Sequence, residues 1–272
     1  MTAPALRAST EPGFPPRRRR ERLQDSSEGS CRTIGLALVA AGLSLLWAGC
    51  APSPDELYSR GMAAFKAGKA DAGTEDLESF VGKKCGGGQQ PRCRHAYLTL
   101  GHSYEKRGAL AKAWAAYDQA LTFPPHKTDD TLTADRDRIR EGLTAKQGDE
   151  AGRTPVIVRY RDEVSEEFTP RSVAVSLDFS PVLTKDQNAG ELHTTEFQRV
   201  YSGSVAAGDH VLVADIVHDC APSARKCARS HLHRAWPFTS AARTPTTLEL
   251  RAYTEPVEGD VAAHPALDVT AR

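Results

Sequence analysis

Five histidines near the C-terminal end of the sequence are the residues best suited to bind a metal ion. They are His193, His210, His218, His231 and His233. We assume that Cys220 and Cys227 pair across a β-hairpin, so that the numbers of opposed residues sum to 447. In that register His218, His231 and His233 lie on one face of the hairpin. Because imidazole nitrogens bind zinc and copper, we expect this face to be the candidate metal site.

An ordinary exposed strand is the alternative for these histidines. In the same register Asp215 lies on the opposite face, so no carboxylate orients the imidazoles, and ligands without such support bind metal weakly. The sequence also has no Gly-x-Ser-x-Gly, no His-Glu-x-x-His and no phosphate-binding glycine loop. We therefore predict no cofactor and no enzymatic activity.

The cysteines indicate an exported protein. Once Cys31 and Cys50 are assigned to a leader and its end, two close pairs remain, and close even pairs in exported proteins form disulfides. The pairs are Cys85 with Cys93 and Cys220 with Cys227. Both spacings are too long for the cysteine knuckle of a structural zinc site, so disulfides are the prediction.

The segment that ends at Cys50 predicts a signal peptide and a lipid anchor. Residues 34–47 form an apolar run of 14 residues, and four arginines at 17–20 precede it. A membrane span needs roughly 20 apolar residues, so this run is a secretory segment. Its end, Leu-Trp-Ala-Gly-Cys, resembles the lipobox of bacterial lipoproteins, with Trp47 where the family has leucine.

The lipobox resemblance implies boundaries and a location. Residues 1–49 would be the signal peptide with its long basic region, Cys50 the site of lipid attachment, and 50–53 the tether. Ala51, in place of an aspartate, favours the outer membrane, with the protein facing the periplasm. The open alternative is cleavage near Ala48 with an unmodified cysteine.

The charge distribution argues against a nucleic-acid partner. The chain has 35 basic and 35 acidic residues, and seven of the basic residues lie within 1–49. The rest of the sequence carries no basic stripe of the kind that nucleic-acid-binding proteins use. We expect the partners to be the membrane, through the lipid, and an envelope protein or peptide.

Helical spacing over residues 54–146 predicts a repeat domain. The positions that carry the pattern are Tyr97, Leu100, Gly101, Tyr104, Gly108, Ala113, Tyr117, Ala120 and Pro125. They resemble the tetratricopeptide repeat, and a weaker copy that contains Gly61 precedes them. The resemblance implies helical hairpins with a groove that binds peptides or proteins. Candidate groove residues are Tyr97, Tyr104 and Lys112, although the tyrosines could equally pack between helices and the helices could be only a spacer.

Alternating apolar and polar residues over 154–254 predict β-strands. The stretch 200–214 resembles the PEGA-type and prealbumin-like sandwich modules of bacterial envelope proteins. We expect a linker at 147–153 and a flexible C-terminal tail at 255–272. The predicted fold class is α+β as separate domains, with tetratricopeptide-type helical hairpins followed by an antiparallel β-sandwich.

These features predict a membrane-anchored envelope lipoprotein that acts as a protein–protein interaction scaffold through its repeat groove and its β-sandwich. The alternative is an envelope metal-binding protein or metalloenzyme that uses His218, His231 and His233. The two hypotheses place the site in different halves of the chain, the groove on the helices and the metal on the strands.

Overall fold

A computed structural model describes residues 51–85, 91–124, 129–146, 153–186, 191, 193–222, 228–255 and 264–272. They belong to one compact unit, Cys50–Arg272. Cys50 itself and the predicted signal peptide lie outside the described residues. Within the ranges just given, no helix is both long and apolar enough to cross a membrane.

Five helices open the described part of the chain. They are α1 (Pro54–Lys66), α2 (Ala70–Lys84), α3 (Pro91–Lys106), α4 (Leu110–Leu121) and α5 (Asp130–Lys146). Helix α1 packs on α2, α3 on α4, and α5 on α4. The turns within the first two pairs place Gly68 and Gly108 at φ angles of 74° and 71°, a conformation that favours glycine.

Glycine also allows the paired helices to approach each other closely. A Cβ atom on Gly101 would lie 2.4 Å from the ring of Tyr117, and one on Gly61 would lie 3.0 Å from Leu77. The predicted disulfide between Cys85 and Cys93 is confirmed, and it ties the end of α2 to α3. Close packing and the cross-link together hold the four helices as one layer.

Eight strands follow and form two four-stranded sheets. They are β1 (Thr154–Glu163), β2 (Phe168–Leu177), β3 (Ser180–Lys185), β4 (Gln198–Val205), β5 (Gly208–Cys220), β6 (Ser230–Ser240), β7 (Thr246–Glu255) and β8 (His264–Ala271). Sheet I has the strand order β4-β1-β7-β8, and sheet II has β3-β2-β5-β6. The described part of the chain therefore has a mixed α+β fold.

The strand pairing departs from the predicted antiparallel sandwich at one place. All other neighbours are antiparallel, but β1 and β7 are parallel. Between these two strands the chain crosses to sheet II for β2 and β3, returns to sheet I for β4 and crosses again for β5 and β6. A long connection of this kind permits a parallel pair.

The expected flexible tail at 255–272 is wrong for its last residues. His264–Ala271 form β8, which pairs with β7. Ala266 and Val269 of this strand are buried, and Val269 belongs to the core between the two sheets. This segment is ordered as a strand because its apolar residues complete that core.

Both faces of sheet II are covered. Its inner face meets sheet I through residues such as Leu212, Ala214 and Ile216. Its outer face contributes Val211, Val213 and Ala235 to the core of the helices, and α4 packs on β5 and β6. The helices and strands were expected to form separate domains, but they share this second core.

The contact between Gly101 and Tyr117 yields a first prediction. Gly101→Ala should lower the free energy of unfolding by about 1–3 kcal/mol, because the added methyl group overpacks a buried ring. Gly82→Ala in α2 is the matched control, since nothing lies within 4 Å of its added Cβ. That variant should be neutral or more stable by up to about 1 kcal/mol. Urea denaturation of both variants tests the prediction, and equal effects of the two substitutions would contradict it.

Candidate functional site: the cleft between the helices and sheet II

The pairing of β5 with β6 differs by one residue from the predicted register. Opposed residues sum to 448, as in Asp215 opposite His233 and His218 opposite Ser230. His231 and His233 consequently lie on the outer face of sheet II, whereas His218 points into the sandwich. The structure therefore does not bring the three predicted metal ligands together. The prediction failed because it assumed one buried face, whereas β5 is buried on both.

His233 is held between two carboxylates from different parts of the fold. Its Nδ1 lies 2.7 Å from Oδ1 of Asp215 on β5, and its Nε2 lies 2.5 Å from Oδ2 of Asp118 on α4. Carboxylate oxygens only accept, so both ring nitrogens donate and His233 is an imidazolium. Burial lowers the pKa of His233, but the hydrogen bonds to Asp118 and Asp215 outweigh burial and raise the pKa to about 10. We call Asp118, His233 and Asp215 the carboxylate–histidine bridge.

The bridge extends to two further groups. Arg136 on α5 donates to Asp118 over 3.1 Å, and Gln119 donates to the backbone oxygen of His233 over 3.3 Å. Arg136 and His233 balance the charges of Asp118 and Asp215, so the set is neutral. Helices α4 and α5 are thereby tied to β5 and β6 by polar contacts as well as by apolar packing.

His218 has a separate role inside the sandwich. The imidazole is fully buried, and its Nε2 donates to Oδ2 of Asp162 over 3.0 Å. Tyr160 donates to the same oxygen over 3.0 Å. Burial raises the pKa of Asp162, but the contact with His218 and the other hydrogen bonds outweigh burial and hold the pKa below its ordinary value. His218 therefore supplies a hydrogen bond to a buried carboxylate.

His210 is also an imidazolium that serves the fold. Its two nitrogens each lie 2.7 Å from an acceptor, one on Asp178 and one on the backbone oxygen of Ala206. Across the described ranges, no group of three histidine, cysteine, aspartate or glutamate side chains is arranged to hold a metal ion.

Only one cysteine of the second predicted disulfide lies within the described residues. Cys220, at the end of β5, is disulfide-bonded. Cys227, its predicted partner, lies outside the described residues.

A cleft of about 440 Å³ opens between the helices and the edge of sheet II. Helices α2, α3 and α4 form one wall and strand β6 forms the other. Its lining residues are Glu78, Val81, Gly82, Tyr97, Leu100, Tyr104, Lys112, Ala115, Ala116, Gln119, Arg234, Ala235, Trp236 and Pro237. We call it the helix–sheet cleft, and its volume is within the range of roughly 300–1,000 Å³ that is usual for ligand sites.

The structure brings all three predicted groove residues into this cleft. Tyr97 and Tyr104 are each only 8% exposed. Tyr104 donates to Glu78, and the Nζ of Lys112 lies 5.5 Å from the centre of the Tyr104 ring. Burial raises the pKa of the Tyr104 phenol, and the contact with Glu78 raises it further, so the phenol stays protonated.

Sequence reasoning missed the wall that β6 supplies. Arg234, Ala235, Trp236 and Pro237 line this wall. Ala235 and Pro237 lie on the same face of β6 as His233, whereas the Trp236 side chain packs against the core of the sandwich. Their positions depend on the register of β6 and on the docking of α4, and neither can be predicted from a local sequence pattern.

No protein-family model, curated protein or solved structure matches this chain.

The bridge yields a second prediction. His233→Gln should lower the free energy of unfolding by about 3 kcal/mol, because it removes the cation between the buried carboxylate of Asp118 and the partly exposed carboxylate of Asp215. His231→Gln is the matched control: it also contacts Asp215, but its side chain is 62% exposed, so its loss should cost no more than about 0.5 kcal/mol. Urea denaturation at neutral pH measures both, and a small effect at position 233 would show that the bridge is dispensable.

A third prediction concerns pH. The pKa of His233 rises from 6.5 to about 10 on folding, so its contribution is complete below pH 6.5 and is lost as the pH rises towards 10. The difference in unfolding free energy between the wild type and His233→Gln should therefore shrink steadily over this interval. A difference that does not change between pH 6.5 and 10 would contradict the assignment of the imidazolium.

Proposed function

We propose that this protein is a membrane-anchored envelope lipoprotein that acts as a protein–protein interaction scaffold, with the helix–sheet cleft as the site for its partner. The observation that carries the proposal is the convergence of Tyr97, Tyr104 and Lys112 with Arg234 of β6 on one accessible cavity. Aromatic side chains and arginine are the residues that dominate binding energy at protein interfaces. A site with this composition suits a peptide or a protein segment.

The helical half supports the same interpretation. We propose that α1–α4 are two tetratricopeptide-type hairpins, because Gly68 and Gly108 make the turns and Gly61 and Gly101 allow the close contacts that the repeat requires. Repeat helices of this kind commonly present binding surfaces. In this chain β6 closes one side of the surface, so the sandwich is a part of the binding site.

The lipid anchor is proposed from the sequence that ends at Cys50. The disulfide between Cys85 and Cys93 supports it, because disulfides persist in oxidising compartments outside the cytosol. An anchored scaffold would present the cleft to other components of the envelope.

Photo-crosslinking tests the proposal and is a fourth prediction. Val81→p-benzoylphenylalanine places the crosslinker in the cleft, and irradiation of intact cells should yield a discrete adduct. Lys84→p-benzoylphenylalanine is the matched control, because Lys84 lies in the same helix but is exposed and outside the cleft.

Membrane fractionation tests the lipid anchor. The wild type should fractionate with the outer membrane, and Cys50→Ala should not.

Two results would contradict the proposal. Equal adducts from positions 81 and 84, or none from position 81, would remove the cleft as a partner site. Unchanged membrane fractionation of Cys50→Ala would remove the lipid anchor.

A further inference from the structure

The helix–sheet cleft carries two cationic side chains that face an aromatic lining. Lys112 lies over Tyr104 on the helical wall. Arg234 on β6 lines the cleft as well, and it is close enough to Tyr97 for its charge to lower the pKa of that phenol. Among the residues that the structure describes, no carboxylate lies within salt-bridge distance of either side chain. Both cations are therefore available to an anionic ligand.

A third donor is buried in the same cleft. Tyr97 is only 8% exposed, and its ring stacks on Phe123 with the centres 5.8 Å apart. Its hydroxyl group has no hydrogen-bond partner within the described ranges. Burial raises the pKa of Tyr97 and the nearby charge of Arg234 lowers it, with burial dominant, so the phenol carries a proton that it can donate.

The cleft has an excess of positive charge. Glu78 is the one carboxylate among the described lining residues, and it accepts the hydroxyl of Tyr104. Lys112 and Arg234 line the same cleft, so two cations are set against one carboxylate.

The remaining lining is apolar. Leu100 and Ala116 come from the helices, and Pro237 comes from the strand. Burial of a large apolar side chain against such a surface is favourable, because it removes apolar area from water. The ligand that satisfies both parts of the cleft joins an apolar side chain to a carboxylate.

We propose that the helix–sheet cleft recognises an acidic peptide segment in which a large apolar side chain is flanked by aspartate or glutamate. The apolar side chain packs against Leu100 and Pro237, and the flanking carboxylates accept from Lys112, Arg234 and Tyr97. This inference rests on the proposed scaffold function and names the chemistry of its partner.

Fluorescence anisotropy with the full-length chain in a mild detergent is the test and the fifth prediction. The probe is a fluorescein-labelled, end-blocked peptide in which one tryptophan has two aspartates on each side. We expect saturable binding, and about tenfold weaker binding when asparagine replaces aspartate or alanine replaces tryptophan. Lys112→Gln and Arg234→Gln should each weaken the binding of the aspartate peptide about tenfold, and Tyr97→Phe should weaken it several-fold.

Lys106→Gln is the matched control, because this exposed lysine of α3 lies outside the cleft, and it should bind as the wild type does. The proposal is overturned if the aspartate peptide does not bind, if the asparagine peptide binds equally well, or if correctly folded Lys112→Gln and Arg234→Gln bind without loss. An adduct from position 81 together with any of these results would leave the scaffold function standing and remove the acidic ligand. Loss of the adduct would remove both.

Discussion

The imidazolium of His233, held between Asp118 and Asp215, is the contact on which the arrangement of the molecule depends. It joins the helices to the strands at their shared core, and Arg136 makes the set electrically neutral. Because the desolvation of buried charges roughly offsets their attraction, we assign the bridge a role in specifying geometry more than in adding stability. A shift of one residue in β6 would turn His233 into the sandwich and separate it from Asp118.

Helix α4 forms part of the helical wall of the cleft. Nine of its twelve residues are buried, and it meets α3, α5 and the neighbouring strands β5 and β6 of sheet II. Ala115 and Ala116 of this helix line the cleft, and their small side chains leave its space unfilled. The cleft is the space that remains where this surface of small residues docks on sheet II.

The helical half could be predicted from the sequence because its signals are local. The glycines at 68 and 108 are explained by the turns that contain them, and those at 61 and 101 by close contact with the next helix in the chain. The strand half could not be predicted to the same depth. Alternation reveals a register only when one face meets water, and Val211, Leu212, Val213 and Ala214 are all buried in succession. With no polar face to mark the outside, an assumed cysteine pairing set the register one residue away from the observed one. The groove residues on α3 and α4 followed from the repeat pattern, whereas Arg234 and Trp236 required the docked sheet.

The two walls of the cleft are far apart in the chain, since Asp118 and His233, which fasten them together, are 115 residues apart. During synthesis the helices emerge long before β6, so the site does not exist on a partly made or partly folded chain. Any molecule that occupies the cleft binds only the state in which both halves have docked, and by mass action it stabilises that state. Occupancy of the cleft would thus act as a checkpoint for completed folding, distinguishing the finished protein from its intermediates.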